Sequence, residues 1–176
     1  MFGAGGVGLN VVQGGAMVAA HPIIAVDVKQ ARIEHARALG ATHGVDASRE
    51  DPVASIRAIT GRGVDYAFVA VGDTRAVSQA CDALGPAGTC VLIGVPPTGA
   101  TLPLDVRPLV TGERVIRGCS YGGARTREDL PRLVNLYLAG RLRIDELITH
   151  RYGLDDANEA FRALAAGELG RGLIVF

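Results

Sequence analysis

The first eight residues, Met1-Phe2-Gly3-Ala4-Gly5-Gly6-Val7-Gly8, decide the fold of this chain. Their glycines have the spacing G-x-G-x-x-G, and the apolar run Ile23-Ile24-Ala25-Val26 that follows ends at Asp27. In this pattern the first glycine makes a tight turn, the second lets the backbone approach a pyrophosphate, and the third lets a helix pack closely on a strand. The stretch therefore predicts a dinucleotide site in which a helix amino terminus faces the phosphates and Asp27 accepts hydrogen bonds from the adenosine ribose.

The glycine spacing alone is a weak indication of such a site. The chain has 24 glycines among 176 residues, so spacings of this kind also arise by chance and in ordinary structural turns. An acidic residue at the end of the next apolar run makes the prediction more specific, and the order of strands and helices downstream tests it further.

The length and composition are typical of a packed domain. At 176 residues the chain is long enough for one domain with a full core and too short for two ordinary ones, so we expect a single domain over residues 1–176. The 18 basic residues balance the 18 acidic residues, which leaves no global field favouring nucleic acid or an anionic membrane. No apolar run is long enough to span a membrane and no stretch resembles a signal peptide, so we expect a cytoplasmic location.

The cysteines and histidines lack the spacing of metal ligands. Cys81, Cys90 and Cys119 are odd in number, widely separated and set in apolar surroundings; we interpret them as buried reduced thiols. The histidines have no cysteine or histidine neighbours at ligand spacing, and we interpret them as structural. The sequence therefore predicts neither a metal site nor a catalytic residue within this chain.

Strand-like and helix-like segments alternate along the chain. Residues 64–71 form a β-branched and aromatic run that is typical of a strand buried on both faces of a parallel sheet. Strands are predicted at residues 23–27, 43–46, 64–71, 89–93, 115–119, 148–152 and 173–176. Helices are predicted at residues 7–20, 29–39, 52–60, 74–84, 127–139 and 155–166, the last with Asp155 as its N-cap. This order predicts an α/β fold, a Rossmann doubly wound parallel sheet with helices on both faces.

Candidate ligand-binding residues follow several of the predicted strands. Sheets of this kind bind ligands at the carboxyl ends of their strands. The glycine loop, Asp27, Val71-Gly72 and Gly94-Val95 occupy those ends in the predicted order. We therefore expect all four to lie along one edge of the sheet.

With this order in view, the sequence resembles the cofactor-binding half of the medium-chain, zinc-dependent alcohol dehydrogenase family. The resemblance covers essentially all 176 residues. The matching motifs are Gly3-Ala4-Gly5-Gly6-Val7-Gly8, Ile24-Ala25-Val26-Asp27, Leu39-Gly40-Ala41-Thr42-His43, Leu92-Ile93-Gly94-Val95-Pro96-Pro97, Gly118-Cys119-Ser120-Tyr121-Gly122-Gly123, Ile148-Thr149-His150 and Gly170-Arg171. Their combination is far more specific than the glycine motif alone.

The resemblance implies a contact for each part of a dinucleotide. The pyrophosphate would rest on Gly3, Ala4, Gly5, Gly6, Val7 and Gly8, and the adenine ribose would lie beside Asp27 and Arg32. The nicotinamide ring and its carboxamide would be held by Ile93, Gly94 and Val95 together with the backbone around Cys119 and Tyr121. Arg171 would contact the pyrophosphate, because a planar guanidinium donates two parallel hydrogen bonds to phosphate oxygens. The alternatives are that Arg32 and Arg171 are solvated surface residues and that Tyr121 packs in the core.

The family's catalytic half, which carries the zinc, its ligands and most of the substrate pocket, has no counterpart here. Only Met1 and Phe2 precede Gly3, whereas the first strand of such a fold has about five or six residues. We expect a truncated first strand, unpaired neighbouring ladders and a gap in the core. We interpret the chain as a domain fragment or truncated reading frame and expect it to bind cofactor weakly and to lack turnover by itself.

The leading interpretation is the NAD-binding domain of an alcohol or aldehyde dehydrogenase. Asp27 favours NAD over NADP, since a carboxylate accepts from ribose hydroxyls and repels a 2′-phosphate, although Lys29 and Arg32 could pair with such a phosphate. An S-adenosylmethionine methyltransferase also has a glycine-rich first turn but gives no reason for Gly94 to Pro97 or Arg171. A non-catalytic nucleotide-binding or oligomerising module is the third interpretation. The resemblance implies a homodimer through residues 115–120.

Overall fold

The computed structural model describes residues 1–167 and 171–176. The chain divides into two compact units, Met1–Ala124 and Arg125–Phe176. Within the described residues, no helix combines the length and the apolar character that crossing a membrane requires.

The first unit is built from alternating helices and parallel strands. Its helices are α1 (Gly6–Met17), α2 (Gln30–Ala38), α3 (Pro52–Thr60), α4 (Thr74–Asp82) and α5 (Arg107–Thr111). Its strands are β1 (Ile24–Asp27), β2 (His43–Asp46), β3 (Val64–Val69), β4 (Leu84–Leu92) and β5 (Val115–Gly118). Strand β1 pairs with β2, and the remaining strands pair in the order β3-β4-β5, all in parallel. Helix α1 contacts α2, and helix α3 contacts α4, as expected when each pair covers one face of the sheet.

Residues 1–3 join the two groups of strands. Phe2 forms parallel bridges to Val26 on one side and to Val69 on the other. The Phe2 N–H donates to the Phe68 carbonyl at 2.8 Å, and the Gly3 N–H donates to the Val26 carbonyl at 2.8 Å. The strand order is therefore β2, β1, residues 1–3, β3, β4 and β5, which is the arrangement of a doubly wound sheet with a short first strand.

The core of this unit lies where the central strands meet their helices. Its buried apolar side chains include those of Phe2, Val26, Ile56, Val69 and Leu84. The three cysteines are free, as predicted, but only Cys81 and Cys90 are buried, whereas Cys119 is half-buried. The Cys119 side chain is more exposed than predicted because the residue follows β5, at the end of the strand order.

The prediction of a strand buried on both faces at residues 64–71 was wrong for its amino half. Ala67 and Val69 are buried, but Asp65 is exposed and the Tyr66 side chain is 63% exposed. The physical reason is that residues 1–3 bond to β3 at Phe68 and Ala70. Beside Tyr66, the described residues pair with β3 on one side alone, through Thr89 of β4.

Other helix and strand boundaries differ from the predicted ones by a few residues. Strand β4 begins at Leu84 rather than residue 89, because Leu84 pairs with Val64 before the register shifts. Helix α1 ends at Met17, and Gly40 follows α2 with a φ of +118°, as its predicted capping position requires.

The second unit contains a parallel two-stranded ladder with two helices. Its elements are α6 (Thr126–Leu138), β6 (Ile148–Gly153), α7 (Ala157–Ala165) and β7 (Arg171–Val175). The predicted N-cap role of Asp155 was wrong. Residues Leu154–Asp156 form a short 3₁₀ turn, and α7 begins after Asp156 without a side-chain cap.

Candidate functional site

The three motif glycines of the glycine loop, Gly3, Gly5 and Gly8, differ in what a side chain at each position would contact. Gly3 has a φ of +87°, and a Cβ there would lie 2.4 Å from the Val71 Cγ1 atom. A Cβ on Gly8 would lie 1.9 Å from the Gly3 carbonyl oxygen, so only glycine lets α1 begin this close to the turn. By contrast, a Cβ on Gly5 would meet no atom within 4 Å. The backbone at Gly5 is therefore open to approach by a ligand from outside the protein.

The amino terminus of α1 is available to an anion. The helix begins at Gly6 after Gly5, which has no side chain to cap the first turn. The Leu9 N–H is the first to bond back into the helix, donating to the Gly5 carbonyl at 2.9 Å. The earlier N–H groups lie at the positive end of the helix dipole, where phosphate oxygens are favoured.

Asp27 lies directly beside the glycine loop. Its Oδ2 atom accepts a hydrogen bond from the Ala4 N–H at 2.8 Å, and its Oδ1 atom accepts one from the Lys29 N–H at 3.0 Å. The side chain is only 3% exposed, so the carboxylate fixes the end of β1 to the loop. A carboxylate oxygen can accept more than one hydrogen bond.

Arg32 is next to this carboxylate, one turn into α2. Its Nη1 atom lies 3.7 Å from the Asp27 Oδ2 atom, and its side chain is 20% exposed. The alternative of a fully solvated surface arginine is therefore wrong for Arg32. The guanidinium therefore lies beside the carboxylate at the end of β1.

The loops after β3 and β4 interlock. A Cβ on Gly72 would lie 2.5 Å from the Val95 carbonyl oxygen, and a Cβ on Gly94 would lie 2.3 Å from the Val71 carbonyl oxygen. The N–H groups of Ile93 and Gly94 both donate to the Val69 carbonyl at 2.9 Å. The structure thus holds Ile93, Gly94 and Val95 beside the loop that packs on Gly3.

Cys119 and Tyr121 follow β5 at the same edge of the sheet. The Cys119 N–H donates to the Leu92 carbonyl at 2.8 Å, which fixes the backbone next to the Ile93 segment. Tyr121 has a φ of +49° and its side chain is 94% exposed. The alternative that Tyr121 packs in the core was wrong.

Arg171 belongs to the second unit, where it is exposed and pairs with Ile148 at the start of β7. Gly170, the other residue of that motif, lies outside the described residues. The pyrophosphate contact of Arg171 therefore stays a prediction. Within the first unit, the glycine loop, Asp27, Arg32 and the segments at 93–95 and 119–121 all follow strand ends as expected.

Val71 is a part of the site that the sequence pattern alone does not identify. This residue touches the glycine turn through its side chain and Gly94 through its backbone. The signal was present in Val71-Gly72, which follows a strand and contains a glycine, but nothing in a single sequence says which loop such a residue will contact.

Residues 6–139 match the family model described as zinc-binding dehydrogenase. This range extends from the start of α1 through α6 and makes up most of the chain. The chain belongs to the zinc-binding dehydrogenase family. Family membership favours the dehydrogenase interpretation over the methyltransferase.

Curated alcohol and S-(hydroxymethyl)glutathione dehydrogenases match this chain along its whole length. It is 39% identical to an alcohol dehydrogenase class-3 of Cereibacter sphaeroides, covering 100% of this chain and 49% of that protein. It is 36% identical to an S-(hydroxymethyl)glutathione dehydrogenase of Paracoccus denitrificans, with the same coverage. The chain thus spans about half the length of the curated relatives it matches.

Solved structures of dehydrogenases share the fold. The benzyl alcohol dehydrogenase of Acinetobacter calcoaceticus superposes with a TM-score of 0.94 at 36% identity, covering 98% of this chain and 48% of that one. A zinc-binding dehydrogenase of Sinorhizobium meliloti, solved bound to NADP, gives a TM-score of 0.87 at 27% identity, covering 99% and 51%. The doubly wound α/β fold is confirmed.

The described part of this chain contains no group of side chains that could bind the family's zinc ion. Among residues 1–167 and 171–176, no three histidine, cysteine, aspartate or glutamate side chains lie together as a metal site needs. Cys81 and Cys90 are buried in the core rather than grouped at the candidate site. The described residues therefore do not fit a zinc ion, in contrast to the dinucleotide, for which the glycine loop is open.

Proposed function

We propose that this chain is the cofactor-binding half of a zinc-dependent alcohol dehydrogenase and that it binds NAD. The observation that carries the proposal is the 2.8 Å hydrogen bond from the Ala4 N–H to Asp27 Oδ2. This bond brings an acidic ribose-binding group to the loop whose backbone is open at Gly5. The alcohol dehydrogenases among the relatives support the reaction class.

Each part of the site has one task in this proposal. Backbone N–H groups at the start of α1 hold the pyrophosphate. Asp27 and Arg32 hold the adenine ribose. The segment Ile93 to Val95 and the backbone near Cys119 and Tyr121 orient the nicotinamide ring. A bound nicotinamide supplies the hydride acceptor, and these residues fix which face of the ring is presented to an alcohol.

The binding proposal is tested by titrating the chain with NADH and following the cofactor's fluorescence. The variant Gly5→Val places a side chain where the pyrophosphate approaches. Because Gly5 has an ordinary φ of −76° and free space around it, the variant should stay folded yet bind NADH at least about tenfold more weakly. The matched control is Gly14→Ala in the same helix, which should bind NADH as the parent does. Equal binding by all three chains would contradict the proposal.

The preference for NAD over NADP rests on the charge of Asp27. A carboxylate repels a 2′-phosphate, whereas Lys29 and Arg32 attract one. In calorimetric titrations we expect NADH to bind more tightly than NADPH. Asp27→Asn keeps the shape of the side chain and removes its charge, so the ratio of NADPH to NADH affinity should rise. Tighter binding of NADPH by the parent chain would overturn the preference.

We also propose that the chain forms a homodimer through residues 115–120. Strand β5 ends the order β3-β4-β5. Since the Cys119 N–H bonds to β4, alternation along a parallel strand directs the backbone groups of Ile116 and Gly118 to the other side. Light scattering at micromolar concentration should give twice the chain mass. A monomeric mass would contradict this proposal and leave the cofactor proposal untouched.

A further inference from the structure

Two of the three cysteines lie together in the core of the first unit, on elements that pack against each other. Cys81 belongs to the last turn of α4, and Cys90 lies in β4, where it pairs with Ala67 of β3. Helix α4 contacts β4, and both cysteine side chains belong to the same cluster of buried residues. Neither cysteine takes part in a disulfide. The fold therefore holds a dithiol inside its core, separate from the residues assigned to the cofactor.

A hydrogen bond joins the side chains of the two cysteines, so their sulfur atoms are direct neighbours. This bond lowers the pKa of the Cys81 thiol below its ordinary value of 9.0. The same bond, together with burial, raises the pKa of the Cys90 thiol. Cys81 is thus the thiol that loses its proton more readily, and Cys90 is the one that keeps it.

Exposure and charge distinguish the two thiols in the same direction. Cys81 is 6% exposed, whereas Cys90 is 0% exposed. The Arg114 Nη1 atom donates to the Cys81 carbonyl at 3.4 Å, and its Nε atom is buried without an acceptor among the described residues. The guanidinium charge favours a thiolate at Cys81, whereas burial and the Asp82 carboxylate oppose it. Cys81 is therefore the better placed of the two to react with a small oxidant.

We propose that Cys81 and Cys90 are a redox-modification site, a pair that hydrogen peroxide converts reversibly into a disulfide. In the first step the Cys81 thiolate attacks a peroxide oxygen, the O–O bond breaks, Cys81 becomes a sulfenic acid and hydroxide leaves. In the second step the Cys90 sulfur attacks the Cys81 sulfur, the S–O bond breaks and a second hydroxide leaves. The two hydroxides take up the two thiol protons, so two thiols and one peroxide give one disulfide and two waters.

The neighbouring thiol decides how far the oxidation proceeds. A sulfenic acid condenses with a thiol beside it, and this protects it from further oxidation to the sulfinic acid. The resulting bond joins the last turn of α4 to β4, and a reducing dithiol restores both thiols. Cys119 lies outside the core cluster that contains the pair, so we expect it to stay out of the disulfide. The inference is independent of cofactor binding.

The test treats the folded chain with hydrogen peroxide and then blocks the remaining thiols by alkylation in denaturant. Before alkylation, the intact mass should fall by about 2 Da, the mass of two hydrogen atoms, and dithiothreitol should restore it. Digestion and mass spectrometry should assign the bond to Cys81 and Cys90 and find Cys119 outside it. A disulfide that includes Cys119, oxygen addition without a disulfide, or no reaction would overturn the proposal.

Two alanine variants separate the roles of the thiols. In Cys90→Ala, peroxide should leave Cys81 as a sulfenic acid that dimedone traps, and no disulfide should form within the pair. In the matched variant Cys81→Ala, the remaining Cys90 thiol should be lost at least about tenfold more slowly than Cys81 is lost in the parent, because it is fully buried. Equal rates would overturn the assignment of Cys81 as the attacking thiol.

The test on the parent chain needs no substitution, so it stands even if an alanine variant fails to fold. Circular dichroism before peroxide treatment shows which variants are folded. A disulfide that forms only after the parent has been unfolded in urea would contradict the proposal, because it would show that the fold does not bring the two thiols together for reaction. None of these measurements uses NADH, so their outcome is separate from that of the cofactor proposal.

Discussion

Strands β1 and β3 lie on either side of residues 1–3, and the space between the two strands is filled differently at their carboxyl and amino ends. At the carboxyl end, residues 1–3 fill the space between the strands and hydrogen-bond to both, and Asp27 fixes the glycine loop in place. At the amino end the same two strands are separated by a groove of about 1160 Å³, and Tyr66 is exposed beside it. One short segment therefore completes the end that carries the candidate site and leaves the other end open.

This difference shows how local the requirements of the candidate site are. The loop geometry depends on Gly3, Gly8, Asp27 and Val71, all of which are held by bonds and contacts at the carboxyl end. Loss of strand pairing at the amino end leaves these contacts in place. We expect the open end to lower the stability of the fold more than it changes the shape of the site.

The largest expected effect on stability concerns the buried Met1 amine, which lies toward the amino end of β1 and β3. The Met1 amine has a pKa of about 5 in the folded chain against 8.0 when exposed, so the unfolded state binds the extra proton between these values. Stability attributable to this group is thus highest at pH 8 and falls as the pH drops toward 5, by up to about 4 kcal/mol. Urea unfolding from pH 5 to pH 8 should show this loss relative to an N-acetylated chain. Parallel curves for the two chains would refute it.

The second-largest effect on stability concerns the carboxyl end of β1 and β3, where residues 1–3 fill the space between the strands. Gly8→Ala would put a Cβ 1.9 Å from the Gly3 carbonyl oxygen, a backbone atom that cannot move away without opening the turn. We expect a loss of about 3 kcal/mol in the free energy of unfolding, measured in urea. NADH binding should fall with it, because the turn and the helix terminus move together. A stability within experimental error of the parent would mean that the closed end is looser than described.

Asp27→Asn probes the connection between strand and loop. The amide keeps one acceptor oxygen, so one of the two backbone donors, Ala4 N–H or Lys29 N–H, faces an NH₂ group. We expect a loss of about 2 kcal/mol in urea unfolding, the cost of leaving a buried donor unpaired. Asp51→Asn is a suitable comparison, since Asp51 accepts similar bonds from Val53 and Ala54 at an exposed helix start. If the two variants show the same small loss in the free energy of unfolding, burial of Asp27 is not what holds the loop.

The smallest expected effect is a gain in the free energy of unfolding, and it concerns Gly14, beside the groove at the amino end of β1 and β3. Gly14→Ala should stabilise the chain by about 1 kcal/mol, because alanine is the better helix former and no atom lies within 4 Å of the added Cβ. Urea unfolding measures the gain. Gly8 and Gly14 lie in the same helix, so opposite signs at the two positions would sharpen the contrast between the two ends, and a loss at Gly14 would break it.

The sequence predicted most of the fold correctly from local patterns. The helix at Pro52–Thr60 and the strand at His43–Asp46 have the predicted bounds, and a proline at the first turn marks the helix locally. The amino half of β3 was predicted buried from its composition, and the structure exposes Tyr66. Composition indicates what a strand can bury, whereas the neighbour that buries it comes from elsewhere in the chain.

By itself, the sequence determined the glycine turn, the helix that follows it and the acidic end of β1, because each depends on residues close together in the chain. Only the tertiary structure decided that Phe2 bridges Val26 and Val69, that Val71 touches the turn, and that the opposite end is an open groove. These features depend on which distant segments lie side by side. Spacing along one strand does not encode its neighbour, since backbone hydrogen bonds between strands are the same for nearly every residue type.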